Sequence, residues 1–295
     1  MESQSGRKIG LALGGGGARG LAHIGILKVL EREGIHADII AGTSMGGLVG
    51  AAYAAGISPG EMERVAHRWS RPLEMVKLMD PGLIQGAMLK GSRIYRALET
   101  LLGKGLRFET LPRQLAVTAA DLNSGCEVIL KEGLVVDAIR ATISFPGVFA
   151  PLKRFGLRLV DGGVLNNVPA DVVRQMGANL VLAVDVLPEF SQNSPGRPNV
   201  AHPLFPPKGP RPLKELWHIQ MMMISAATRL RLQASPPDLL MRPRLPAGMD
   251  FFAGFSRPAV AIEGGMKEAE RMLPRIRSLL DGPTSDEGVK SQKGD

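Results

Sequence analysis

The fold of this chain is decided by the stretch Gly42-Thr43-Ser44-Met45-Gly46-Gly47. It follows a short apolar run that ends at Ala41, and it precedes a helical run of small residues, 48–55. Strand, tight turn and helix in this order are the context of a G-x-S-x-G nucleophile elbow. Gly42 and Gly46 are expected where the strand and the helix approach too closely for a Cβ atom. The pattern predicts that Ser44 is a nucleophile at a helix N-terminus, where free N–H groups and the helix dipole face it.

A glycine-rich loop precedes the elbow. An apolar strand, 9–13, runs into Gly14-Gly15-Gly16-Gly17-Ala18-Arg19-Gly20, and a helix follows as far as Gly34. Successive glycine amides at a helix N-terminus present N–H donors to developing negative charge. The loops after neighbouring parallel strands emerge at the same edge of a sheet, so this loop is expected to face Ser44 as an oxyanion hole. Arg19 would add a cation there, for charge stabilisation or for contact with a substrate phosphate.

The same loop admits a second interpretation. Gly15, Gly17 and Gly20 also satisfy the G-x-G-x-x-G fingerprint of dinucleotide-binding folds. That fingerprint needs an acidic residue at the end of the second strand, whereas the only acid of this strand, Asp38, stands at its beginning. An NAD(P)-binding protein is therefore an alternative with half of its signal missing. A phosphate-binding P-loop lacks the Gly-Lys-Ser/Thr that would have to follow.

Composition and charge bound the class of protein and its partners. The chain has 295 residues, of which 44% are hydrophobic and 22% charged, as in a soluble globular α/β domain. Aromatic residues make up 4%, which argues against a stacking surface for single-stranded nucleic acid. The net charge of +8 favours an anionic partner, and without a nucleic-acid-binding motif we expect an anionic membrane surface rather than nucleic acid.

Cysteine content and hydropathy predict the compartment. The single cysteine, Cys126, allows no intrachain disulfide. The N-terminus is polar, and the apolar run 9–13 is too short for the core of a signal peptide. No run approaches the ~18 apolar residues that span a bilayer. The expected localisation is cytoplasmic, with peripheral contact to the inner membrane.

Hydrophobic periodicity predicts the remaining elements. They are helices over 61–69, 92–102, 135–143, 168–176, 213–233 and 257–280, and strands over 114–120, 126–131, 157–160, 179–186 and 238–241. We expect a catalytic core at 9–185, with a helical insert at about 58–112 that serves as a cap or lid near the site. Residues 186–282 form the C-terminal part of the same domain, 188–212 an irregular loop and 283–295 a disordered tail. Pro274 is expected to kink or interrupt the last helix.

The helix over 213–233 is unusually apolar. A stripe at helical spacing is typical of a core-facing side, and it consists of Leu216, Ile219, Met223, Ala226 and Leu230. Further apolar residues at 221, 222 and 224 make the middle of the helix apolar all round, which predicts burial. In the alternative interpretation, this methionine-rich segment lines an acyl-chain pocket or touches a membrane.

A base for Ser44 is the next requirement. A strand over 157–160 ends in Asp161-Gly162-Gly163, and the two glycines would let another chain segment come close. Asp121 and Asp185 also follow apolar strands and stay open as alternatives. A Ser-His-Asp triad would need a late histidine, and the candidates are His202 and His218.

The glycine loop, the Ser44 elbow and Asp161-Gly162-Gly163, in this order, resemble the patatin-like phospholipase family, in particular its bacterial relatives of the neuropathy target esterase type. The resemblance extends to Ser144–Pro151 and to Asn166-Asn167-Val168-Pro169, and it covers about residues 9–185. It implies a single α/β domain with a central, mainly parallel sheet and helices on both faces. It also implies a lipid acyl hydrolase of the phospholipase A or lysophospholipase type, which needs no metal or organic cofactor.

Residue roles follow from the same resemblance. Asp161 aligns with the catalytic aspartate of a Ser-Asp dyad, and the family points to Gly16 and Gly17 as the oxyanion donors. A free carboxylate with a reference pKa of about 3.9 is a weak base for a serine hydroxyl. The oxyanion donors would therefore have to lower the barrier substantially. A catalytically silent binding or scaffold protein on the same fold is the rival from another class.

Overall fold

A central sheet carries the fold. The computed structural model describes residues 7–81, 87–154, 156–188, 211–246, 249 and 253–282. Its strands are β1 Ile9–Leu13, β2 Ile39–Gly42, β3 Gln114–Asp121, β4 Glu127–Leu130, β5 Leu152–Arg154, β6 Leu157–Asp161, β7 Leu180–Val184 and β8 Leu239–Met241. Its helices are α1 Ala22–Arg32, α2 Met45–Ala54, α3 Pro59–Trp69, α4 Pro72–Leu78, α5 Ser92–Leu102, α6 Val135–Thr142, α7 Ala170–Gln175, α8 Arg211–Ala234 and α9 Pro258–Asp281. A 3-10 helix, Gly17–Leu21, leads into α1.

The strand order is β5-β6-β3-β2-β1-β7-β8, with β4 paired to β3 outside this path. The pairs β1–β2, β1–β7, β2–β3 and β7–β8 are parallel, as the continuous apolar character of these strands predicts. The pairs β3–β4, β3–β6 and β5–β6 are antiparallel. A short connection between β5 and β6 allows only an antiparallel pair, because a parallel crossover needs a dozen or more residues.

Helices cover both faces of the sheet, as the predicted fold class requires. On β1, Leu11 and Leu13 point to the larger core, which α1, α2, α6 and α9 complete. Ala12 points to the opposite face, where it packs in a smaller core with α7 and with Leu232 of α8. A strand flanked by helices on both faces has no solvated side, which explains why its residues are apolar throughout.

α1 and α9 pack against each other at two glycines, one on each helix. A Cβ atom at Gly25 of α1 would lie 1.9 Å from the carbonyl oxygen of Ile262 in α9. Reciprocally, a Cβ atom at Gly265 would lie 1.9 Å from the carbonyl oxygen of Ala22. The backbones of α1 and α9 therefore touch, and α9 packs on the helix that follows the glycine loop.

Some of the predicted elements differ from those in the structure, and others lie outside the described residues. The helix α9 continues through Pro274, so this residue does not interrupt it. The prediction of an irregular loop at 188–212 falls mostly on 189–210, and that of a tail on 283–295, both outside the described residues. A short helix, α4, follows α3 and was not among the predicted helices. Pro72 stands in its first turn, which is a position where proline fits a helix. None of the described helices is both long and apolar enough to cross a membrane.

The prediction for the stripe on α8 was wrong. Leu216, Ile219, Met223 and Leu230 are 62%, 51%, 67% and 64% exposed. The buried side of α8 is the opposite one, with Met221, Ile224, Thr228 and Leu232. Because the helix is apolar on both sides, its periodicity does not tell which side faces the core.

Candidate active site

The turn after β2 has the strained geometry of a nucleophile elbow. Ser44 has φ 54° and ψ −122°, and it is the only non-glycine residue with positive φ in the described part of the chain. A Cβ atom at Gly46 would lie 2.1 Å from the carbonyl oxygen of Leu13, so β1 and α2 require a glycine here. The Ser44 N–H donates to Thr142 Oγ1 at 2.7 Å, which holds the turn in place. The strand, the strained turn and the helix thus follow one another as the elbow pattern predicts, while the role of Ser44 as a nucleophile stays a prediction.

Strand register brings Asp161 to the level of Ser44. β3 lies between β2 and β6, with Gly42 opposite Val117 on one side and Asp161 opposite Ala119 on the other. Two residues beyond Gly42, Ser44 therefore reaches the same height along β3 as Asp161. A hydrogen bond of 2.7 Å between the hydroxyls of Thr43 and Thr118 closes the space between the two ends.

Burial changes the acidity of the aspartate. Asp161 is 2% exposed, and this burial raises the pKa of its carboxyl from 3.8 to about 7. The Gly163 N–H, which donates to Asp161 Oδ1 at 2.8 Å, opposes the rise in pKa, and the hydrogen bond from the Ser44 side chain opposes it further. A carboxylate with a pKa of about 7 is a far better match for proton transfer at neutral pH than one with the reference value.

The two alternative carboxylates have other partners. Asp121 accepts hydrogen bonds from the backbone of Arg158 and from the backbone and hydroxyl of Ser124, and these bonds lower its pKa. Asp185 accepts from the Leu187 N–H at 3.1 Å and lies 3.5 Å from Arg242 Nε. Neither lines the pocket that contains Ser44. Of the three candidates, Asp161 is the one that the fold places against the serine.

The glycine loop packs directly on the elbow. A Cβ atom at Gly15 would lie 3.1 Å from the Cβ atom of Ser44. The Gly15 N–H is already used, because it donates to the carbonyl oxygen of Asn167 at 3.1 Å. The N–H groups of Gly16 and Gly17 have no acceptor among the described residues. Gly16 lines the pocket together with Ser44, and Gly17 follows it in the chain without lining the pocket.

Arg19 and Gly20 do not line this pocket. Arg19 Nε donates to the carbonyl oxygen of Val186 at 2.6 Å, and its Nη1 donates to that of Met249 at 3.4 Å. Burial lowers the pKa of Arg19 to about 10, and the carboxylate of Asp185 opposes this shift. Gly20 faces the Met45 side chain, which lies 2.5 Å from the place of a Cβ atom. These two residues hold the loop against neighbouring segments rather than lining the pocket.

Asn167 is a site residue that the sequence did not single out by role. Its side chain donates from Nδ2 to the carbonyl oxygen of Gly15 at 3.1 Å, while its backbone accepts from the Gly15 N–H. It is 4% exposed and lines the pocket. This double contact joins the loop after β1 to the segment that follows Asp161. The only signal in the sequence was its place in the resembling stretch Asn166–Pro169.

An apolar cover lies across the pocket from these polar groups. It is formed by Phe145, Leu187, Met221 and Ile224, the last two on α8. Residues 58–112, predicted to form a cap or lid, supply none of the described lining residues. Of the described residues of that insert, Met88 and Leu89 pack against the cluster of Phe145, Met221 and Ile224 beside the pocket.

No histidine is found among the described residues that line the pocket. His23 is fully buried beneath the glycine loop, where its Nε2 lies 2.7 Å from the carbonyl oxygen of Gly14. Burial lowers the pKa of His23 to about 4, so the ring is neutral and its role is structural. His218 lies on α8 but does not line the pocket, and His202 is outside the described residues.

Comparison with known proteins shows which family the sequence matches. A family model described as patatin-like phospholipase matches residues 11–174. An uncharacterized NTE family protein of Mycobacterium tuberculosis is 36% identical over 206 residues, which cover 68% of this chain and 55% of that protein. Patatin-like phospholipase domain-containing protein 6 of Mus musculus is 35% identical over 186 residues, which cover 62% of this chain and 14% of that protein.

Among solved structures, VipD from Legionella pneumophila aligns with 93% of this chain and 69% of its own chain, at 12% sequence identity and a TM-score of 0.49. The matches extend over only part of the curated relatives, about half of the mycobacterial protein and a smaller share of the mouse protein.

Proposed function

The chain belongs to the patatin-like phospholipase family, and this membership supports lipid hydrolysis. We propose that Ser44 and Asp161 catalyse the hydrolysis as a dyad. The observation that carries this proposal is the buried Asp161, which has a pKa of about 7 and a hydrogen bond from the Ser44 side chain. A group with a strongly shifted pKa in a pocket, beside a strained nucleophile, is the signature of an active site.

The proposed reaction proceeds through an acyl-enzyme. Ser44 Oγ attacks the ester carbonyl carbon while its proton moves to the Asp161 carboxylate. When the tetrahedral intermediate collapses, the ester C–O bond breaks and the leaving alcohol takes the proton from Asp161. A water molecule then transfers a proton to Asp161 as its oxygen attacks the acyl group on Ser44. Release of the fatty acid returns that proton to Ser44 and regenerates the dyad.

The glycine loop would stabilise the negative charge on the intermediate. The free N–H groups of Gly16 and Gly17 are the donors we assign to the oxyanion, and one such donor is typically worth about 3 kcal/mol. Gly15 contributes through the contact with Asn167 rather than through its own amide. Arg19 then acts by position, because its bonds to Val186 and Met249 fix the end of the loop.

The substrate we propose is a phospholipid or lysophospholipid ester. The apolar cover formed by Phe145, Leu187, Met221 and Ile224 suits an acyl chain, and the positive net charge suits an anionic lipid surface. Peripheral contact with the cytoplasmic side of a membrane follows from these features as part of the proposal. The protein acts in this scheme through its own side chains and backbone amides.

Hydrolysis of short-chain p-nitrophenyl esters tests the dyad. Ser44→Ala and Asp161→Asn are each expected to lower kcat/KM by at least about a thousandfold while the protein stays folded. The matched controls are Ser278→Ala and Asp281→Asn, exposed residues of α9, which should retain full activity. His218→Ala should also stay active, since no histidine takes part in the proposed reaction.

The outcomes separate the alternatives. Wild-type activity in Ser44→Ala or Asp161→Asn would contradict the dyad. Loss in Ser44→Ala and His218→Ala, with activity kept in Asp161→Asn, would mean a histidine-dependent hydrolase. If the wild-type protein neither hydrolyses esters nor reacts with a fluorophosphonate probe, the fold serves as a binding or scaffold protein.

A further inference from the structure

α8 presents apolar side chains to two opposite environments. On one side, Trp217, Met221 and Ile224 pack against Phe145, with the rings of Phe145 and Trp217 centred 4.6 Å apart. On the other side lies the exposed stripe, which we define as Leu216, Ile219, Met223 and Leu230. Its members recur at helical spacing, so they form one continuous surface along the helix.

The buried side of α8 closes the pocket. Met221 and Ile224 line the same pocket as Ser44, and Ser44 is only 6% exposed. The space that remains over the dyad has room for about one water molecule. A lipid with a long acyl chain would have to displace these side chains to place its ester at Ser44. If the protein hydrolyses lipids as proposed, this part of α8 has to move first.

Arg231 fixes the C-terminal half of α8 to the rest of the domain through polar contacts. Arg231 pairs with Glu127 at 2.6 Å and with Asp171 at 3.5 Å, and it donates to the carbonyl oxygen of Leu165 at 3.2 Å. Over the pocket, α8 rests on the apolar cluster around Phe145. Apolar contacts of this kind can be exchanged for contacts with lipid at little cost, whereas the ion pairs provide a fixed end.

The exposed stripe has an exposed charged residue at each end. Glu215 stands beside Leu216, and Arg229 stands beside Leu230. A second exposed apolar segment is α4 with the residue that follows it, where Leu73, Val76 and Met79 are 79%, 62% and 43% exposed. The chain just after α4 is linked to the apolar cluster around Phe145. Leu89 packs against that cluster, and the N–H of the next residue, Lys90, donates to the carbonyl oxygen of Asp80.

Cations also border α4. Arg68, Arg71 and Lys77 are exposed around it, and the pKa of Glu74 is lowered first by its pair with Lys77 and then by the two arginines. Apolar side chains interspersed with arginine and lysine fit a surface that is apolar inside and negative outside. That description fits an anionic lipid bilayer, and it fits a second copy of this positively charged chain poorly.

We propose that α8 is an interfacial lid: the exposed stripe docks on an anionic lipid surface, and docking draws Trp217, Met221 and Ile224 off the Ser44 pocket. The lid role depends on the proposed function, because it assumes that lipid must enter this pocket. The docking role does not, because binding to vesicles needs no catalysis. The membrane thereby becomes both the partner and the regulator of the site.

Vesicle co-sedimentation tests docking without catalysis. The full chain carrying Ser44→Ala is mixed with phosphatidylglycerol–phosphatidylethanolamine vesicles or with phosphatidylcholine vesicles. We expect binding to the anionic vesicles, and at least a tenfold loss when Leu216→Gln, Ile219→Gln and Met223→Gln are combined. The matched control is Leu122→Gln, a leucine 49% exposed in the β3–β4 turn, which should bind like the parent protein.

Three results would overturn docking. The parent protein could fail to bind, it could bind both vesicle types equally, or the combined variant could bind like the parent. A dimer in light scattering that the combined variant converts to a monomer, with no vesicle binding, would assign the exposed stripe to self-association instead. Thermal melting of the variant shows that it is folded. Ester hydrolysis by wild-type protein is scored separately, so loss of the dyad and loss of docking are distinguishable.

Fluorescence tests whether α8 moves. The chain has two tryptophans, so Trp69→Phe leaves Trp217 alone as the reporter. With anionic vesicles that contain brominated lipid, we expect Trp217 to leave the Phe145 ring and to be quenched by bromine. Protein that sediments with the vesicles while its Trp217 emission stays unquenched and unshifted would mean that α8 docks without opening the pocket.

Discussion

Asp161 holds its proton up to about pH 7 because the folded chain keeps its carboxyl away from water. Only the ionised form can accept the Ser44 proton. We therefore expect kcat/KM for a soluble p-nitrophenyl ester to rise about tenfold per pH unit below about pH 7 and to level off above it. A profile that is already flat from pH 5 upward would show that the base titrates near its reference pKa.

The same carboxyl makes stability depend on pH. Its pKa is raised from 3.8 to about 7 on folding, so its contribution to stability is complete below pH 3.8 and is lost as the pH rises through about 7. Asp161→Asn removes this loss. We expect the variant to be more stable than wild type at pH 8, by up to about 4 kcal/mol, and to show little gain at pH 4.

Chemical denaturation at the two pH values measures this difference. Asparagine can still accept the hydrogen bond from the Gly163 N–H, so the comparison isolates the charge. A variant that is less stable than wild type at pH 8 would contradict the view that burial of the charged Asp161 carboxylate destabilises the folded protein. A gain in stability together with lost activity is the trade-off expected of a catalytic residue.

Asn167 offers a prediction about positioning. Its side chain holds Gly15, and Gly15 lies against Ser44. We expect Asn167→Ala to lower kcat for a soluble ester by about ten- to a hundredfold, with a smaller change in KM, because the oxyanion donors shift. Asn179→Ala is the matched control, since that asparagine bonds the Lys8 N–H at the opposite end of β7. Equal activity of both variants would remove Asn167 from the site.

At the scale of elements, α9 packs against α1 and the 3-10 helix that leads into it, although α9 lies outside the matched family region. Gly265→Ala should lower the free energy of unfolding by about 2–3 kcal/mol, because its new methyl group would meet the backbone of Ala22. Gly60→Ala in α3 has open space around it and should be neutral or stabilising by up to about 1 kcal/mol. Urea denaturation compares the two, and equal stabilities would mean that α1 and α9 separate easily.

Local patterns in the sequence predicted the elements that carry the site. The continuous apolar strand 9–13 and the glycines around Ser44 each encode their structure within a few residues. The boundaries of β1 and α5 agree with the predicted ranges, 9–13 and 92–102, to the residue. The glycines at 42 and 46 predicted a close approach of strand and helix, and the structure shows backbone atoms where their Cβ atoms would lie.

Contacts between distant segments were not predictable in this way. The direction of β6 depends on its hairpin with β5, and the place of the Arg19 side chain depends on carbonyl groups at 186 and 249. The raised pKa of Asp161 depends on how deeply its surroundings are packed. For α8, the sequence gives two apolar sides with similar spacing, and only the fold decides which one covers the pocket. The proposed domain limits remain predictions.

For the whole molecule, the net charge of +8 predicts how lipid binding responds to salt. Raising the salt concentration from about 0.1 M to about 1 M shortens the Debye length from about 10 Å to about 3 Å. We expect binding of Ser44→Ala protein to anionic vesicles to fall several-fold over this range in a flotation assay. Hydrolysis of a soluble neutral ester by wild-type protein should change much less. Vesicle binding that is insensitive to salt would mean that the cations around α4 and α8 do not contribute.

The central claim is that Asp161 activates Ser44, and the rate of covalent labelling tests it most directly. Wild-type and Asp161→Asn protein are treated with a fluorophosphonate at pH 8, and the modified residue is identified by peptide mass spectrometry. We predict that wild-type protein is labelled at Ser44 and that Asp161→Asn reacts at least about a hundredfold more slowly. Labelling of Asp161→Asn at the wild-type rate, or modification of a residue other than Ser44, would contradict the claim.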